Sequence, residues 1–321
     1  MECIAVINQK GGVGKTATAV NLGAALAQRG RRVLLIDLDP QSHLTAHLGL
    51  DKKGAEAAMC EVLTDQMDLA QAACPISPNL FAVPSRIDLA ATEMELTSVV
   101  GREVILRDSL EVGDCPYEFV LVDCPPSLGV LTLNALSAAT QVLIPVQPHF
   151  LSLQGVGKLL ETTSLVSRRI NPALRVAGMV MCLYESGTRL SGEVIEDLQN
   201  YLDSTRHSRV PWRDARIFRT RIRRNVKLAE CPSYGQTILD YAPKSNGAID
   251  YLALGDEVIE LLERPSGDQH EESSGPGVSR ESSLRVESVS GEGAAVSPRG
   301  ARKRQVPKGP ASADPDISIA M

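Results

Sequence analysis

The chain has 321 residues, of which 43% are hydrophobic and only 3% aromatic, with 33 basic against 39 acidic side chains and a formal net charge of −6. An apolar share of that size excludes a wholly disordered chain, and the length leaves room for one large domain or two average ones. No run of about 18 uninterrupted apolar residues occurs, which argues against a membrane-spanning helix.

The first predicted element is a strand, Cys3–Asn8. It has no basic residues before it and meets a polar loop too early for the apolar core of a secretory signal. A helix follows over Thr16–Arg29, then strands at Arg32–Asp37, Leu80–Val83 and Phe119–Asp123. Next come a helix at Leu131–Ala139, a strand at Val142–Val146 and a helix at Leu153–Ile170. The series closes with a strand at Val176–Leu183, a helix at Leu190–Leu202, a strand at Ile217–Ile222 and a helix at Gly247–Leu262. Several strands are almost continuous in Val, Ile and Leu, the pattern of strands covered on both faces. The alternation predicts an α/β fold with a mostly parallel sheet and helices on both sides. The seven cysteines are scattered and none forms a Cys-x-x-Cys pair, so no disulfide framework or metal-thiolate site is expected, and a reducing setting is.

Composition breaks near Arg264. Residues 264–321 hold 11 Ser, 7 Gly and 6 Pro and no aromatic residue. Such a segment cannot bury enough apolar area to offset its conformational entropy, so a disordered tail after a single domain at 1–263 is expected. The tail carries a small basic cluster, Arg299, Arg302, Lys303, Arg304 and Lys308. A solvated charge run is the plain account of it, and a weak nucleic-acid or membrane contact the other.

Asn8-Gln9-Lys10-Gly11-Gly12-Val13-Gly14-Lys15-Thr16-Ala17 follows the first strand and opens the first helix. That is the context a phosphate-binding loop requires. Glycines let successive N–H groups point into one hollow, and the helix N-terminus adds its dipole. Lys15 supplies a point charge for β- and γ-phosphates, and the Thr16 hydroxyl is placed for Mg²⁺. The ordinary pattern would have Gly where Gln9 stands, and a second lysine, Lys10, precedes Lys15 by five residues. A glycine turn with incidental lysines is the bland alternative.

Two further strands end in carboxylates: Val33-Leu34-Leu35-Ile36-Asp37-Leu38-Asp39-Pro40-Gln41 and Val120-Leu121-Val122-Asp123-Cys124-Pro125-Pro126-Ser127. Both ends should lie on the edge that carries the loop, where a carboxylate acts on Mg²⁺ or its water shell or orients an attacking water. A single strand-end Asp is as often a structural cap; two beside a phosphate loop carry more weight.

From Arg206 to Lys227 there are eight Arg, one Lys and a single acid, Asp214. On an acidic chain such a segment is a candidate footprint for a phosphate backbone. Phe218, Thr220 and Ile222 alternate with Arg219, Arg221 and Arg223, so a strand would pack the first three and present the arginines. The alternative is a charged exposed strand, or a docking site for an acidic protein. With few aromatics nearby, contact would be to backbone and independent of sequence.

The loop K-G-G-x-G-K-[ST], seen at Lys10–Thr16, resembles the deviant Walker A motif of the ParA/MinD class of P-loop ATPases. D-x-D-P-Q at Asp37–Gln41 and Asp123-Cys124-Pro125-Pro126-Ser127-Leu128-Gly129, followed by Thr132-Leu133-Asn134-Ala135, resemble the partition branch, ParA. The resemblance spans roughly residues 2–262. It implies a P-loop NTPase fold, ATP and Mg²⁺ as cofactors, and ATP hydrolysis. It implies that Lys10 reaches across a nucleotide-sandwich homodimer to the partner's phosphates, and that Gly11 and Gly12 lie where subunits approach. It assigns Lys10–Ala17 to the nucleotide, Asp39 to the hydrolytic water, and Asp123, through water, to the metal together with Thr16. Cys124 belongs to the motif, so no reactive thiol is invoked.

Arg224–Gly235 is similar to the family's P-R-N-V-R-L-S-E-A-P-S-H-G run, whose second arginine belongs to a non-specific DNA surface; Lys227 stands there. In the family's D-A-R-T-N-L loop this chain reads Glu185-Ser186-Gly187-Thr188-Arg189-Leu190, with an arginine two residues late. The implied DNA contacts are Arg219, Arg221, Arg223, Arg224, Lys227 and Arg189. The expected function is a cytoplasmic, nucleoid-associated partition ATPase that dimerises with ATP and coats double-stranded DNA. A ParB-like protein is its partner, and a chromosome or plasmid its cargo. No helix-turn-helix domain precedes the first strand, so operator binding is not expected. The alternatives are a MinD-like ATPase on a membrane, for which the tail lacks an amphipathic basic helix, and a positioning ATPase for another assembly. A metabolic P-loop enzyme lacks its paired cysteines or appended domain here, and a nucleotide-gated scaffold is disfavoured by intact Lys15, Asp39 and Asp123. No stable membrane association is expected.

Overall fold

In the computed structural model, residues 1–51, 57–112, 115–149, 152–186 and 189–263 are described. The strands are β1 (Glu2–Val6), β2 (Val33–Asp37), β3 (Cys74–Ser77), β4 (Leu80–Val83), β5 (Phe119–Asp123), β6 (Gln141–Val146), β7 (Arg175–Tyr184) and β8 (Arg216–Arg223). They form one sheet in the order β3-β4-β2-β5-β1-β6-β7-β8. Among the described residues, only β3 runs antiparallel to its neighbour.

The strand residues divide between two cores because successive side chains point to opposite faces. Ile4, Val6, Leu35 and Leu121 pack with Leu22 and Leu26 of the Lys15–Gln28 helix and Tyr251, Leu254 and Val258 of the Asn246–Glu263 helix. Cys3, Ala5, Ile36 and Val122 pack with Leu131 and Ala135 of the Val130–Ala138 helix. The same core takes in Leu159 of the Ser152–Arg169 helix and Val194 of the Arg189–Thr205 helix. Each fully buried aliphatic side chain contributes about 1.5–3 kcal/mol. The expected α/β architecture, with helices on both faces, is what forms.

Seven strands lie where the sequence predicts them. The eighth, β3, is a sheet-edge strand of four residues containing Pro75, with only alternate residues half-buried. Proline is confined to such edges because it donates nothing to the ladder, and no apolar run announces it. Short helices at His43–His47, Met59–Leu63, Leu89–Leu96, Ile105–Glu111 and Val226–Glu230 were likewise not predicted. Among the described residues no helix is long and apolar enough to cross a membrane. The expected disordered tail, its basic cluster and Gly187 lie outside the described residues.

Candidate nucleotide site and basic edge

The sheet's chain order brings the carboxyl ends of β1, β2, β5 and β6 together. Val6 and Asp37 are both register partners of Asp123, and β6 flanks β1 on its other side. Ligands on open α/β sheets bind at such an edge. The loop that leaves β1 is anchored to β6: Asn8 Nδ2 donates to the Pro145 carbonyl at 2.7 Å, and Asn8 Oδ1 accepts from the Lys10 N–H at 3.0 Å. The turn itself needs glycine at two places. Gly12 and Gly14 have φ of 74° and 96°, and Gly14 is the residue from which the Lys15–Gln28 helix starts. Side chains there would be strained. No atom would meet a Cβ on Gly11 or Gly12 within 4 Å, so this stretch faces open space.

Below the loop, Thr18 Oγ1 lies 3.3 Å from the Tyr251 hydroxyl and 3.7 Å from Cys182 Sγ, which joins the loop helix to the last helix and β7. Above it is a cleft of about 610 Å³, lined by Gly11, Gly12, Gly14, Lys15, Thr16 and Ala17 from the loop. Its remaining wall includes Asp39, Gln41, His47, Pro126, Pro232 and Ser233. Lys15 is buried, and among the described residues its ammonium donates only a long 3.5 Å bond to the Lys10 carbonyl. Lys10 turns away: its Nζ lies 2.9 Å from His149 Nε2 and 3.3 Å from Nδ1.

The acidic strand ends differ sharply. Asp37 is fully buried and satisfied: Oδ2 accepts from the Thr45 N–H at 2.8 Å and hydroxyl at 2.6 Å, and Oδ1 from the Asp39 N–H at 3.2 Å. Burial nevertheless pushes its carboxyl up to about 6. Asp39 lines the cleft, its Oδ1 accepting from the Gln41 N–H at 2.9 Å and its carbonyl from the Ser85 hydroxyl at 2.9 Å. Asp123 is fully buried, and among the described residues neither of its oxygens has a hydrogen-bond partner in ordinary geometry. Burial, then the charge of Asp37, drives its carboxyl well above the usual range, against the pull of the Thr16 hydroxyl and the Lys15 ammonium.

An orphaned carboxylate at full burial demands a ligand. The residues fit Mg²⁺: Thr16 and Asp123 supply hard oxygen donors beside a polyphosphate hollow. Among the described residues no group of three or more His, Cys, Asp or Glu could hold a metal ion unaided. Mg²⁺ suits that deficit, because it takes its other ligands from water and phosphate. Buried Cys124 has its thiol pushed well above the usual value by burial, which makes it inert.

The comparisons with known proteins agree with this geometry. A family model described as an AAA domain matches residues 1–176. The sporulation initiation inhibitor protein Soj of Bacillus subtilis is 43% identical over 256 residues, covering 79% of this chain and 97% of that protein. The chain belongs to the ParA/Soj family of partition ATPases. The chromosome partitioning protein ParA of Myxococcus xanthus is 39% identical, covering 80% of this chain and 87% of its own. A solved structure of cobyrinic acid a,c-diamide synthase from Mycobacterium smegmatis, with ADP and magnesium bound, is 36% identical at a TM-score of 0.69. It covers 82% of this chain and 96% of that one.

As a ParA/Soj member, the chain draws attention to its basic segment. β8 forms the sheet edge, with Phe218 and Ile222 buried, Thr220 half-buried, and Arg219, Arg221 and Arg223 exposed, as the alternation predicts. The arginines are not bare, however. Arg219 pairs with Glu260 at 3.1 Å and Glu257 at 3.5 Å, Arg223 with Asp250 at 2.6 Å, and Arg224 with Glu185 at 3.0 Å. Lys227 pairs with Glu230 at 2.8 Å and Arg189 with Glu193 at 2.9 Å. Arg221 donates to the Tyr184 hydroxyl at 2.6 Å and lies 4.6 Å from that ring's centre, with no acidic partner among the described residues.

The last helix does more than neutralise charge. The buried Glu257 carboxylate accepts from the backbone N–H groups of Arg219 (2.8 Å) and Thr220 (3.0 Å), and buried Asp250 from that of Arg223 (3.0 Å). These two acids cap donors that an edge strand would otherwise leave open for another chain. Sequence reasoning missed both, although their seven-residue spacing puts them on the same helix face as Tyr251 and Leu254. It also missed His47 and His149, which no motif marks, and the place of Pro232 and Ser233 in the cleft wall, although they lie in the Arg224–Gly235 motif.

Proposed function

We propose that this chain is a nucleotide-switched DNA carrier. Two ATP-bound copies pair through the exposed Gly11–Gly12 surface, the pair binds double-stranded DNA through the β8 edge without reading sequence, and a ParB-like protein stimulates hydrolysis and release. The cargo is a chromosome or plasmid, and the working place is the nucleoid in the cytoplasm. The domain that does this spans residues 1–263. The observation that carries the reading is the orphaned Asp123 carboxylate beneath a two-lysine phosphate loop, on a chain whose other edge displays Arg221 and Arg224.

The chain is an ATP hydrolase, with ATP and Mg²⁺ as its cofactors. Lys15 and the loop's backbone N–H groups bind the β- and γ-phosphates. Thr16 and Asp123 would hold the metal, Asp123 through water. When bound, the metal supplies neutralisation of the charge on the phosphate oxygens. Asp39, fixed by Gln41 and Asp37, orients the attacking water. Lys10 acts on the second subunit's phosphates. Because this chemistry is mostly positioning, a lone subunit turns over slowly.

The test is binding of a random-sequence duplex with ATP or ADP across a salt titration, for wild type and Arg221→Glu. The reading requires binding with ATP only, a steep salt slope, and a weaker affinity with a smaller slope in the variant. Binding indifferent to the nucleotide would sink it. Turnover untouched by DNA but coupled to amidation of a small carboxylate would favour a ligase of the kind that the 36% identical synthase exemplifies.

A further inference from the structure

The contact between Lys10 and His149 has no place in the scheme so far. An ammonium has three donors and no acceptor, so, lying against both ring nitrogens, it can donate only to one that carries no proton. Both ends of Lys10 are held from β6. Its N–H is fixed by Asn8, whose own amide is bonded to Pro145, and its ammonium by His149, three residues beyond the end of β6. His149 is set by a tight turn in which its N–H donates to the Gln147 carbonyl at 2.9 Å across Pro148. Lys15 meanwhile stays in the cleft, with the Lys10 carbonyl as its contact. Two ammonium groups in one small hollow would repel each other, and holding Lys10 against the His149 ring, outside the cleft lining, avoids that.

We propose that His149 is a positioning residue that holds Lys10 back in a separate subunit, and that pairing of two nucleotide-loaded subunits breaks this contact. The inference rests on the proposed reading in which Lys10 crosses to the other subunit. Its direction follows from bond strength. An ammonium–imidazole bond has one ionised partner. An ammonium–phosphate bond has both ionised and is about twice as strong. The lysine therefore exchanges a weaker partner for a stronger one only when a second subunit's phosphates arrive. The imidazole raises the threshold for pairing without competing once pairing is complete.

The experiment uses the full chain with Mg²⁺ and a non-hydrolysable ATP analogue. The dimer dissociation constant is measured by sedimentation for wild type, His149→Ala and His149→Gln, the last retaining an acceptor near the Nε2 position. A net hydrogen bond is worth about 1 kcal/mol, roughly fivefold, so losing both contacts in a dimer should tighten pairing about 25-fold. His149→Ala should do so, and His149→Gln should return most of the way to wild type. In parallel, the imidazole nitrogen signals of His149 are followed by NMR in nucleotide-free protein. They should shift in Lys10→Ala and, in wild type, on addition of the analogue.

Unchanged or weaker pairing in His149→Ala overturns the proposal, as does a His149 signal indifferent to Lys10→Ala. Absence of pairing in wild type overturns the dimer reading itself; the NMR shift then shows separately whether the contact exists.

Discussion

Asp37 and Asp123 sit opposite each other at the ends of neighbouring parallel strands, both without solvent exposure, and only Asp37 is satisfied. Three donors from the chain meet Asp37, so its role is to fix the Asp39 loop and the start of the His43–His47 helix. Asp123 is kept for something the chain does not supply. Asp123→Asn should therefore fold with an unchanged or higher melting temperature, since a buried group that resists ionisation is removed. Its ATPase rate should fall about 10²-fold or more, the usual cost of deleting one charge-stabilising group. Calorimetry and phosphate release check both parts, and EDTA should no longer alter the affinity of the variant for ATP.

Lys15 has almost no partner of its own in the cleft, so its contribution should appear only with ligand present. ATP at a hundredfold excess over its dissociation constant stabilises a protein by about 2.7 kcal/mol. Lys15→Ala should lose most of that increment while keeping wild-type stability without nucleotide. Denaturant titration with and without MgATP measures the difference.

Glu257 is an internal cap, and removing it should act on folding before function. Glu257→Ala strands two backbone donors of β8, at a cost of about 2 kcal/mol or more, and opens the strand to pairing with other chains. Urea denaturation should register the loss, and light scattering the association. Glu257→Gln, which keeps one acceptor, should fall between.

Under the proposed reading, the acids around the basic edge should set its apparent affinity for phosphate. Glu185 and Arg224 form an exposed pair. Replacing Glu185 with Gln should leave stability unchanged, since such pairs are worth little. It should strengthen duplex binding a few-fold at low salt, and Arg224→Glu should do the reverse. Fluorescence anisotropy over a salt series distinguishes this from a change of fold.

His47 is buried beside the cleft, where desolvation pulls its imidazole from 6.5 down to about 4. The unfolded chain then binds a proton that the folded chain refuses between those values. Stability from this group is complete above pH 6.5 and is lost as pH falls through the window, by up to about 3 kcal/mol. His47→Gln should flatten that stretch of the stability–pH curve. A wild-type curve with the same slope as the variant between pH 6.5 and 4 would refute it.

The phosphate loop, both acidic strand ends and the alternation along β8 were legible because each is written in consecutive residues. Lys15 and Asp123 meet through strand order, which the repeated strand–helix rhythm already implies. What was not legible depends on residues far apart in the chain. The charge surplus at Arg206–Lys227 reads as bare in sequence because several of its counter-ions, Asp250, Glu257 and Glu260, lie on the last helix, and another, Glu185, follows β7. β3 was hidden by Pro75 and by an edge position that asks for little hydrophobicity. Lys10 carries a family signature, but its resting partner, His149, is fixed only by the turn after β6.

One stretch of backbone joins the two halves of the molecule's chemistry. β8 ends at Arg223 and leads through the Asn225-capped turn at Val226–Glu230 to Cys231, whose thiol lies 3.6 Å from His47, and to Pro232 in the cleft wall. Linkage through such a segment runs equally in both directions. Whatever factor ATP adds to the hold on a polyanion at the strand, the polyanion must add to the hold on ATP. A subunit resting on such a surface would then grip its fuel more tightly than one adrift, by the same factor by which the fuel tightens its grip on the surface.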